Sequence, residues 1–429
     1  RLQALLIAFA FGSVMEGAGG GGAPVAICGA MMVGLGFEPF SAAVLCLIAN
    51  TAPVAYGAVG NPVRALIAVT GLPGMQIGAM MGRILPFTAV ILPFWMMRLV
   101  TNWRNTWEVW PGLLTAGLLF GGVQFYWSNF QDFGLVDIIG GVVTLIGLTL
   151  FLKVWRPKKP WRFEHEPLAT VAPRRFPFLR ILHAWTGFIL LSAVVIIAGV
   201  PSVAKFLNAS SPNIPVPGLH NLVFRMQPVF PKPHPEPAIF DLTWLSNAGT
   251  GAFLAGLIAG PLLGLSFRKT LQVFFRTCYQ LRYSMLAIMA MLTLGYVTRY
   301  SGMDAVMGLA MTHTGRAFPF FGTLIGWIGV SLTGTDAGSN ALFGSLQTIT
   351  ATSLSLPPVL MAAANSAGGV MGKMIAAQSL VVAAVAVGRP GSEGDLFRKV
   401  FPHSIILASI VGLIVLFFAT VGLGFVPPV

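Results

Sequence analysis

Two carboxylates sit where the sequence otherwise has little use for charge. Glu16 lies in Met15-Glu-Gly-Ala-Gly-Gly-Gly-Gly-Ala-Pro24, and Asp336 in Thr333-Gly-Thr-Asp-Ala-Gly-Ser-Asn340. Both stretches are Gly-rich and nearly apolar. Burial disfavours the charged form of a carboxyl, which suits a group that picks up and releases a proton. The plainer reading is a neutral or paired structural acid, with Lys373 or Arg299 as the partner. Thr333, Thr335, Ser339 and Asn340 crowd the turn around Asp336 and favour a functional role there. Glu16 is balanced between the two readings.

A second signal is a repeat. Val44-Leu-Cys-Leu-Ile-Ala-Asn50-Thr-Ala-Pro-Val-Ala-Tyr-Gly57 recurs in register as Val359-Leu-Met-Ala-Ala-Ala-Asn365-Ser-Ala-Gly-Gly-Val-Met-Gly-Lys373. Each copy lies near one of the acid-bearing Gly-rich segments. Repeated apolar segments interrupted by Gly and Pro mark the binding site of a secondary transporter. A helix broken at Asn-(Thr/Ser)-Ala exposes the N-terminus of its second half, where unpaired N–H groups and the dipole favour an anion. Asn50, Thr51, Asn365 and Ser366 can cap such ends and donate to a carboxylate. Gly57, Gly60, Gly368, Gly369 and Gly372 permit close backbone approach. The competing reading is that Asn and small residues glue helices together.

Lys373 follows Asn365 by roughly two turns at 3.6 residues per turn. It is open between a counter-ion for substrate, a partner of Asp336, and a side chain snorkelling to the inner surface. Arg299, in Tyr296-Val-Thr-Arg-Tyr-Ser-Gly302, reads first as an interfacial anchor between tyrosines and second as an outer anion contact. His183, His313 and His403 fall at expected span ends and read as interfacial.

These residues need a membrane scaffold, and the composition provides one. The chain of 429 residues is 55% hydrophobic and 9% charged, with mean hydropathy +0.80. Many apolar runs approach the ~20 residues that cross a bilayer. A net charge of +13 could suggest nucleic acid, but the basic residues cluster between the apolar runs, as the positive-inside bias requires. Cys28, Cys46 and Cys278 stand at no metal or redox spacing and read as small buried side chains. The chain opens at Arg1, already apolar, so upstream spans are expected to precede it.

The expected fold is an all-α polytopic membrane protein, an inverted-repeat transporter with two re-entrant hairpins and two discontinuous helices. A first repeat over 1–97 holds a re-entrant hairpin (2–36, arms of about 13 residues, too short to cross), a helix broken within 41–60, and a span at 75–97. Two spans follow in 98–152, at 110–128 and 134–154. The segment 153–180 carries Lys153, Arg156, Lys158, Lys159, Arg162, Arg174, Arg175 and Arg180 against Glu164 and Glu166, a cytoplasmic loop. In 181–245, a span at 181–200 leads to a Pro-rich, irregular external loop over 201–240 with solvated His220 and His234. In 246–282, a span at 246–266 precedes a basic segment, with Arg268, Lys269, Arg276 and Arg282, lying along the inner surface. A second repeat over 283–377 comprises a span at 283–298, a hairpin at 318–350 and a broken helix at 356–377. The remainder, 378–429, is an inner loop with Arg389, Arg398 and Lys399, then a span at 402–426. Counting crossings from the basic loop makes the two repeats opposite in membrane orientation, the arrangement that alternating access uses.

Glu16-Gly-Ala-Gly-Gly-Gly-Gly-Ala-Pro-Val-Ala-Ile27, Ala49-Asn-Thr-Ala-Pro-Val-Ala-Tyr-Gly-Ala-Val-Gly60, Arg299-Tyr-Ser-Gly-Met303, Leu332-Thr-Gly-Thr-Asp-Ala-Gly-Ser-Asn-Ala-Leu-Phe-Gly344 and Ala362-Ala-Ala-Asn-Ser-Ala-Gly-Gly-Val-Met-Gly-Lys-Met374 resemble the lactate permease family, which includes glycolate permeases. The resemblance covers nearly the whole chain. It implies a multi-pass plasma-membrane carrier for lactate, glycolate and related 2-hydroxy-monocarboxylates, driven by proton symport. It places Glu16, Asn50, Asp336, Asn340, Asn365 and Lys373 at the family's motif positions. The family commonly has Glu-Gly-Ala-Ala-Gly-Phe-Gly in the first hairpin, and here Gly19 and Gly21 replace an Ala and an aromatic. The tip is expected to be more flexible and its pocket roomier.

The expected substrate contacts are therefore Asn50, Thr51, Asn340, Asn365, Ser366 and Lys373, with Asp336 and Glu16 as proton carriers. No cofactor, metal or nucleic acid is called for; the partners are the substrate, protons and the bilayer, with a homo-oligomer left open. Sodium coupling is the nearest alternative, because unwound carbonyls and Asp336 also suit a cation. A passive channel for small acids is the next. A membrane enzyme ranks last, for want of a nucleophile–base pair or a metal-spaced ligand set.

Overall fold

The computed structural model describes residues 2–20, 22–157, 177–199, 201–226, 233–242, 244–245 and 248–428. The chain divides into two compact units, 1–166 with 291–429, and 167–290. The protein is all-α, with a few short strands that, among the described residues, are confined to 213–241. Among the described residues, Leu2–Gly19, Gly74–Val100, Val136–Val154 and Glu393–Thr420 are long and apolar enough to cross a membrane. Two bent pairs join them: Pro39–Ala49 with Val54–Thr70 (58°), and Pro358–Ile375 with Ala377–Ala386 (44°).

In the first unit, both Gly-rich segments turn the chain back. The first hairpin joins Leu2–Gly19 to Ala23–Gly34, and the second joins Phe318–Thr333 to Asp336–Ser353. The arm bearing Glu16 is longer than the expected 13 residues. Helix continues through Glu16, and the turn waits for Gly20 at φ 58, ψ −153, a conformation open to glycine alone. Gly334 (φ 76) ends the matching arm of the second hairpin, and Thr335 caps the next by accepting the Gly338 N–H at 3.0 Å.

The two broken helices do not break at the same place. The first stops at Ala49, with Asn50 as its C-cap, just ahead of Pro53, whose missing N–H and bulky ring cannot extend a helix. It resumes through Val54–Tyr56 and Gly57–Thr70, extending ten residues beyond the expected end at 60. In the second, Gly368 occupies the position of Pro53, so helix runs through Asn365 and Ser366 to Gly372 and breaks at Lys373–Ala376. Asn365 and Ser366 are thus mid-helix and expose no half-helix N-terminus, which corrects the sequence expectation.

Glycines let the second hairpin press against this helix. A Cβ at Gly326 would meet the Asn365 carbonyl, one at Gly368 the Thr323 carbonyl, and one at Gly372 the Trp327 carbonyl. Gly322/Gly326 and Gly368/Gly372 are small-xxx-small pairs, and they let the two helices pack backbone to backbone. Neighbouring helices then run in defined directions. Gly82 meets Ser128 and Gly117 meets Val90, so Gly74–Val100 and Trp110–Phe130 are antiparallel. Gly17 meets Asp137 and Gly141 meets Val14, so the first hairpin arm and Val136–Val154 are antiparallel too.

Three expected boundaries also move. Phe267–Ser301 is one uninterrupted 35-residue helix, so the basic segment at 268–282 and the span at 283–298 are a single element. The final helix starts at Glu393, which brings Arg398 and Lys399 into its first turns instead of a preceding loop. Within the second unit, 201–240 is less irregular than expected. It contains Pro201–Asn208 and two short antiparallel ladders, Asn213–Pro215 with Ile239–Asp241 and Phe224–Arg225 with His234–Pro235. Arg225 and Glu236 pair there at 2.7 Å, and His220 Nδ1 accepts the Ala238 N–H at 3.2 Å. Of the cytoplasmic-loop charges, Lys158, Lys159, Arg162, Glu164, Glu166, Arg174 and Arg175 lie outside the described residues.

Candidate functional site

Asp336 opens the second arm of the second hairpin, where the helix dipole favours a negative group. It is buried. Its Oδ2 accepts a short hydrogen bond from the Ser366 hydroxyl on the second broken helix. Its Oδ1 has no hydrogen-bond partner and faces Gly369, where a Cβ would collide with it. One oxygen is anchored and the other is available.

A polar ladder continues down the same interface. Asn365 Nδ2 donates to Asn340 Oδ1 at 2.9 Å, and Gln347 Nε2 donates to Asn365 Oδ1 at 3.1 Å and to the Gly322 carbonyl at 2.6 Å. Asn340 Nδ2 donates to the Pro62 carbonyl at 3.1 Å, which ties the second hairpin to the first broken helix. Asn365 therefore has both ends of its amide engaged in joining helices. Gln347 belongs to this network and was not anticipated; its place three turns past Asp336 on the same arm was the available signal.

Lys373 is buried and does not snorkel. Its ammonium donates to the Gly334 carbonyl at the second hairpin tip at 2.6 Å. Its charge acts on both Asp336 and Glu16, so the one buried lysine among the described residues sits in the field of both acids.

The first hairpin presents Glu16 to the first broken helix. Glu16 Oε1 faces Gly57, where a Cβ would stand 2.8 Å away, and Oε2 has no partner. Asn50 lies beside Glu16, and both atoms of its buried amide are without partners. Thr51 instead returns its hydroxyl to the Ile48 carbonyl at 2.7 Å, so it caps its own helix. Ala58, Val59 and Gly60 follow with φ of 46°, 58° and 74°. Left-handed backbone at a β-branched valine is strained, and such strain concentrates at functional sites. Gly20 packs on Ala58 here, its notional Cβ 3.2 Å from that methyl.

Asp137 is the residue the sequence reading missed. It begins Val136–Val154, is fully buried, and neither of its carboxyl oxygens has a partner. It abuts Gly17 and lies in the field of Glu16. A lone Asp at the start of an ordinary apolar run reads as a helix-start acid, which hid it. The Arg299 guanidinium donates at 3.0 Å to the carbonyls of Ala68 and Val69, at the C-terminal end of Gly57–Thr70, and lies 5.9 Å from the Tyr300 ring. Among the described residues no cluster of His, Cys, Asp and Glu has the grouping of a metal site.

Comparison with known proteins completes the description. The profile of the L-lactate permease family matches residues 1–422. A glycolate permease of Escherichia coli (strain K12) is 43% identical over 442 aligned positions, covering 99% of this chain and 79% of that protein. An L-lactate permease of the same strain is 43% identical, covering 96% and 77%. An L-lactate permease of Bacillus subtilis (strain 168) is 41% identical, with the same coverage of 96% and 77%. No solved structure matches the chain. With its several membrane-length helices, the chain is a multi-pass protein of the inner membrane.

Proposed function

The chain belongs to the L-lactate permease family, and from that premise we propose that it imports lactate and glycolate by proton symport. The observation that carries the coupling is Asp336, buried at a hairpin tip, with one oxygen on Ser366, the other unpartnered, and Lys373 beside it.

The chemistry follows from competition for one cation. A substrate carboxylate draws the Lys373 ammonium away from the Gly334 carbonyl and out of the field of the two acids. Asp336 then lacks its countercharge, and a proton takes that place. By linkage the proton and the anion each favour the other's binding. Moving the loaded site neutral avoids carrying net charge through a low-dielectric barrier. Asn50, with a free amide beside Glu16, is the donor best placed for a second substrate oxygen. Asn340, Asn365 and Ser366 hold the framework, and Thr51 supports the break.

The two repeats, 1–97 and 283–377, act as inverted halves in this reading. Glu38, which starts the first broken helix, pairs with Arg389, just past the second, at 3.4 Å. Arg299, ahead of the second hairpin, holds the far end of the first broken helix. The Glu38–Arg389 contact supports broken helices that run in opposite directions.

Uptake of labelled lactate and glycolate into proteoliposomes, driven in turn by imposed proton and sodium gradients, tests the proposal. Accumulation under the proton gradient alone is expected. Accumulation that requires sodium would replace the proton with a cation, and equilibration without accumulation would make the protein a channel.

A further inference from the structure

We propose that Asp137 and Glu16 together form a coupled two-carboxyl site that binds one proton, separate from Asp336. The inference rests on the symport reading and extends it to a residue outside the repeated motifs.

The geometry brings the two acids together from different helices. Glu16 lies in the last turn of Leu2–Gly19, and the next residue, Gly17, sits where a Cβ would come within 2.8 Å of Asp137 Cβ. Only a glycine lets the two helices approach this closely. Both Asp137 oxygens and Glu16 Oε2 are buried without a hydrogen-bond donor. A carboxylate can only accept, whereas a carboxylic acid also donates. With both Asp137 oxygens lacking a donor, the buried pair is satisfied only when one of its carboxyls carries a proton. Like charges sharing a buried site bind a proton for the same reason.

The surroundings show where the charges go when that proton leaves. Glu16 faces Asn50 and feels Lys373, Asp336 and Asp137. Asp137 faces Glu16 and Tyr56, and the Tyr56 hydroxyl is committed to the Gly78 carbonyl at 2.7 Å. Among the described residues of this unit, three buried acids, Glu16, Asp137 and Asp336, share the single buried base Lys373. Asp137 occupies the first turn of its helix, where the dipole supports a negative charge. With Lys373 near Glu16 and the dipole behind Asp137, the pair can release its proton. When a substrate anion takes Lys373, Glu16 loses its countercharge and the pair takes the proton back.

The test compares the parent with Asp137→Asn and Asp137→Glu, at matched amounts of inserted protein. Two quantities are read: initial uptake against external pH, and net accumulation relative to exchange of external for internal lactate. Exchange needs no proton release, so Asp137→Asn is expected to flatten the pH profile and lower net accumulation about tenfold more than exchange. Asp137→Glu is expected to restore the profile. Parental pH dependence in Asp137→Asn would overturn the assignment. Equal loss of exchange and accumulation in both variants would make Asp137 a structural acid. Sodium-driven accumulation lost in Asp137→Asn would make the pair a sodium site. A parent with no acid-driven accumulation would instead remove the symport reading itself.

Discussion

The Ser366 hydroxyl holds Asp336 by Oδ2 and leaves Oδ1, beside Gly369, without a partner. The contact joins a hairpin tip to a broken helix, so it fixes both the position of the carboxyl and the distance between the two elements. A hydrogen bond to a buried carboxylate contributes about 1.5–3 kcal/mol. Ser366→Ala is accordingly expected to lower proton-driven uptake about ten- to hundredfold, with Ser366→Thr recovering much of it. Equal uptake by Ser366→Ala and the parent would show that the hydroxyl does not position Asp336.

Lys373 donates to the Gly334 carbonyl while its charge serves two acids. Lys373→Gln retains a donor and removes the charge. Loss of one member of a desolvated charge pair costs about 2–5 kcal/mol, so the KM for lactate is expected to rise about a hundredfold or more. An unchanged KM would exclude Lys373 as the substrate's counter-ion.

Two glycines face the acids at distances that admit no methyl. A Cβ at Gly57 would stand 2.8 Å from Glu16 Oε1, and one at Gly369 would overlap Asp336 Oδ1. Gly57→Ala and Gly369→Ala are each expected to lose transport while costing about 1–3 kcal/mol in stability from overpacking. Gly394→Ala, in open space, is the control and should leave both thermal stability in detergent and uptake unaltered.

Glu38 supplies a pH dependence outside the spans. Partial burial raises its pKa, but the N–H groups of Ser41 and Phe40 and the charge of Arg389 outweigh that and hold it below the ordinary 4.5. A depressed folded-state value means stabilisation is complete above the ordinary value and disappears as pH falls through the folded one. The pair is exposed, so the effect is below about 1 kcal/mol. Glu38→Gln should lower Tm slightly at neutral pH and converge with the parent in acid. A gap that persists in acid would assign the effect to capping rather than charge.

Much of this site was legible because its markers are chemical. An acid among glycines, followed by an Asn-bearing apolar repeat, located both hairpins and the chain segments that meet around Lys373. The position of the second break was not legible, since Asn365-Ser-Ala-Gly lacks the proline that stops the first copy at Ala49. Helix continued until Lys373, and the two Asn residues parted roles: Asn50 ends a helix with a free amide, and Asn365 cross-links its helix to the second arm of the second hairpin. The basic run at 268–282 suggested a surface segment, yet its charges are compatible with the continuous helix Phe267–Ser301. Asp137 escaped because partnership between helices leaves no spacing in the sequence.

The most direct measurement is lactate accumulation in proteoliposomes under an imposed inward proton gradient, with external pH followed, for the parent and Asp336→Asn. The parent should accumulate lactate with co-entry of protons. Asp336→Asn, inserted in equal amount, should lose both by about the 5- to 150-fold of a typical coupling free energy. Proton-coupled accumulation that survives in Asp336→Asn would contradict the account.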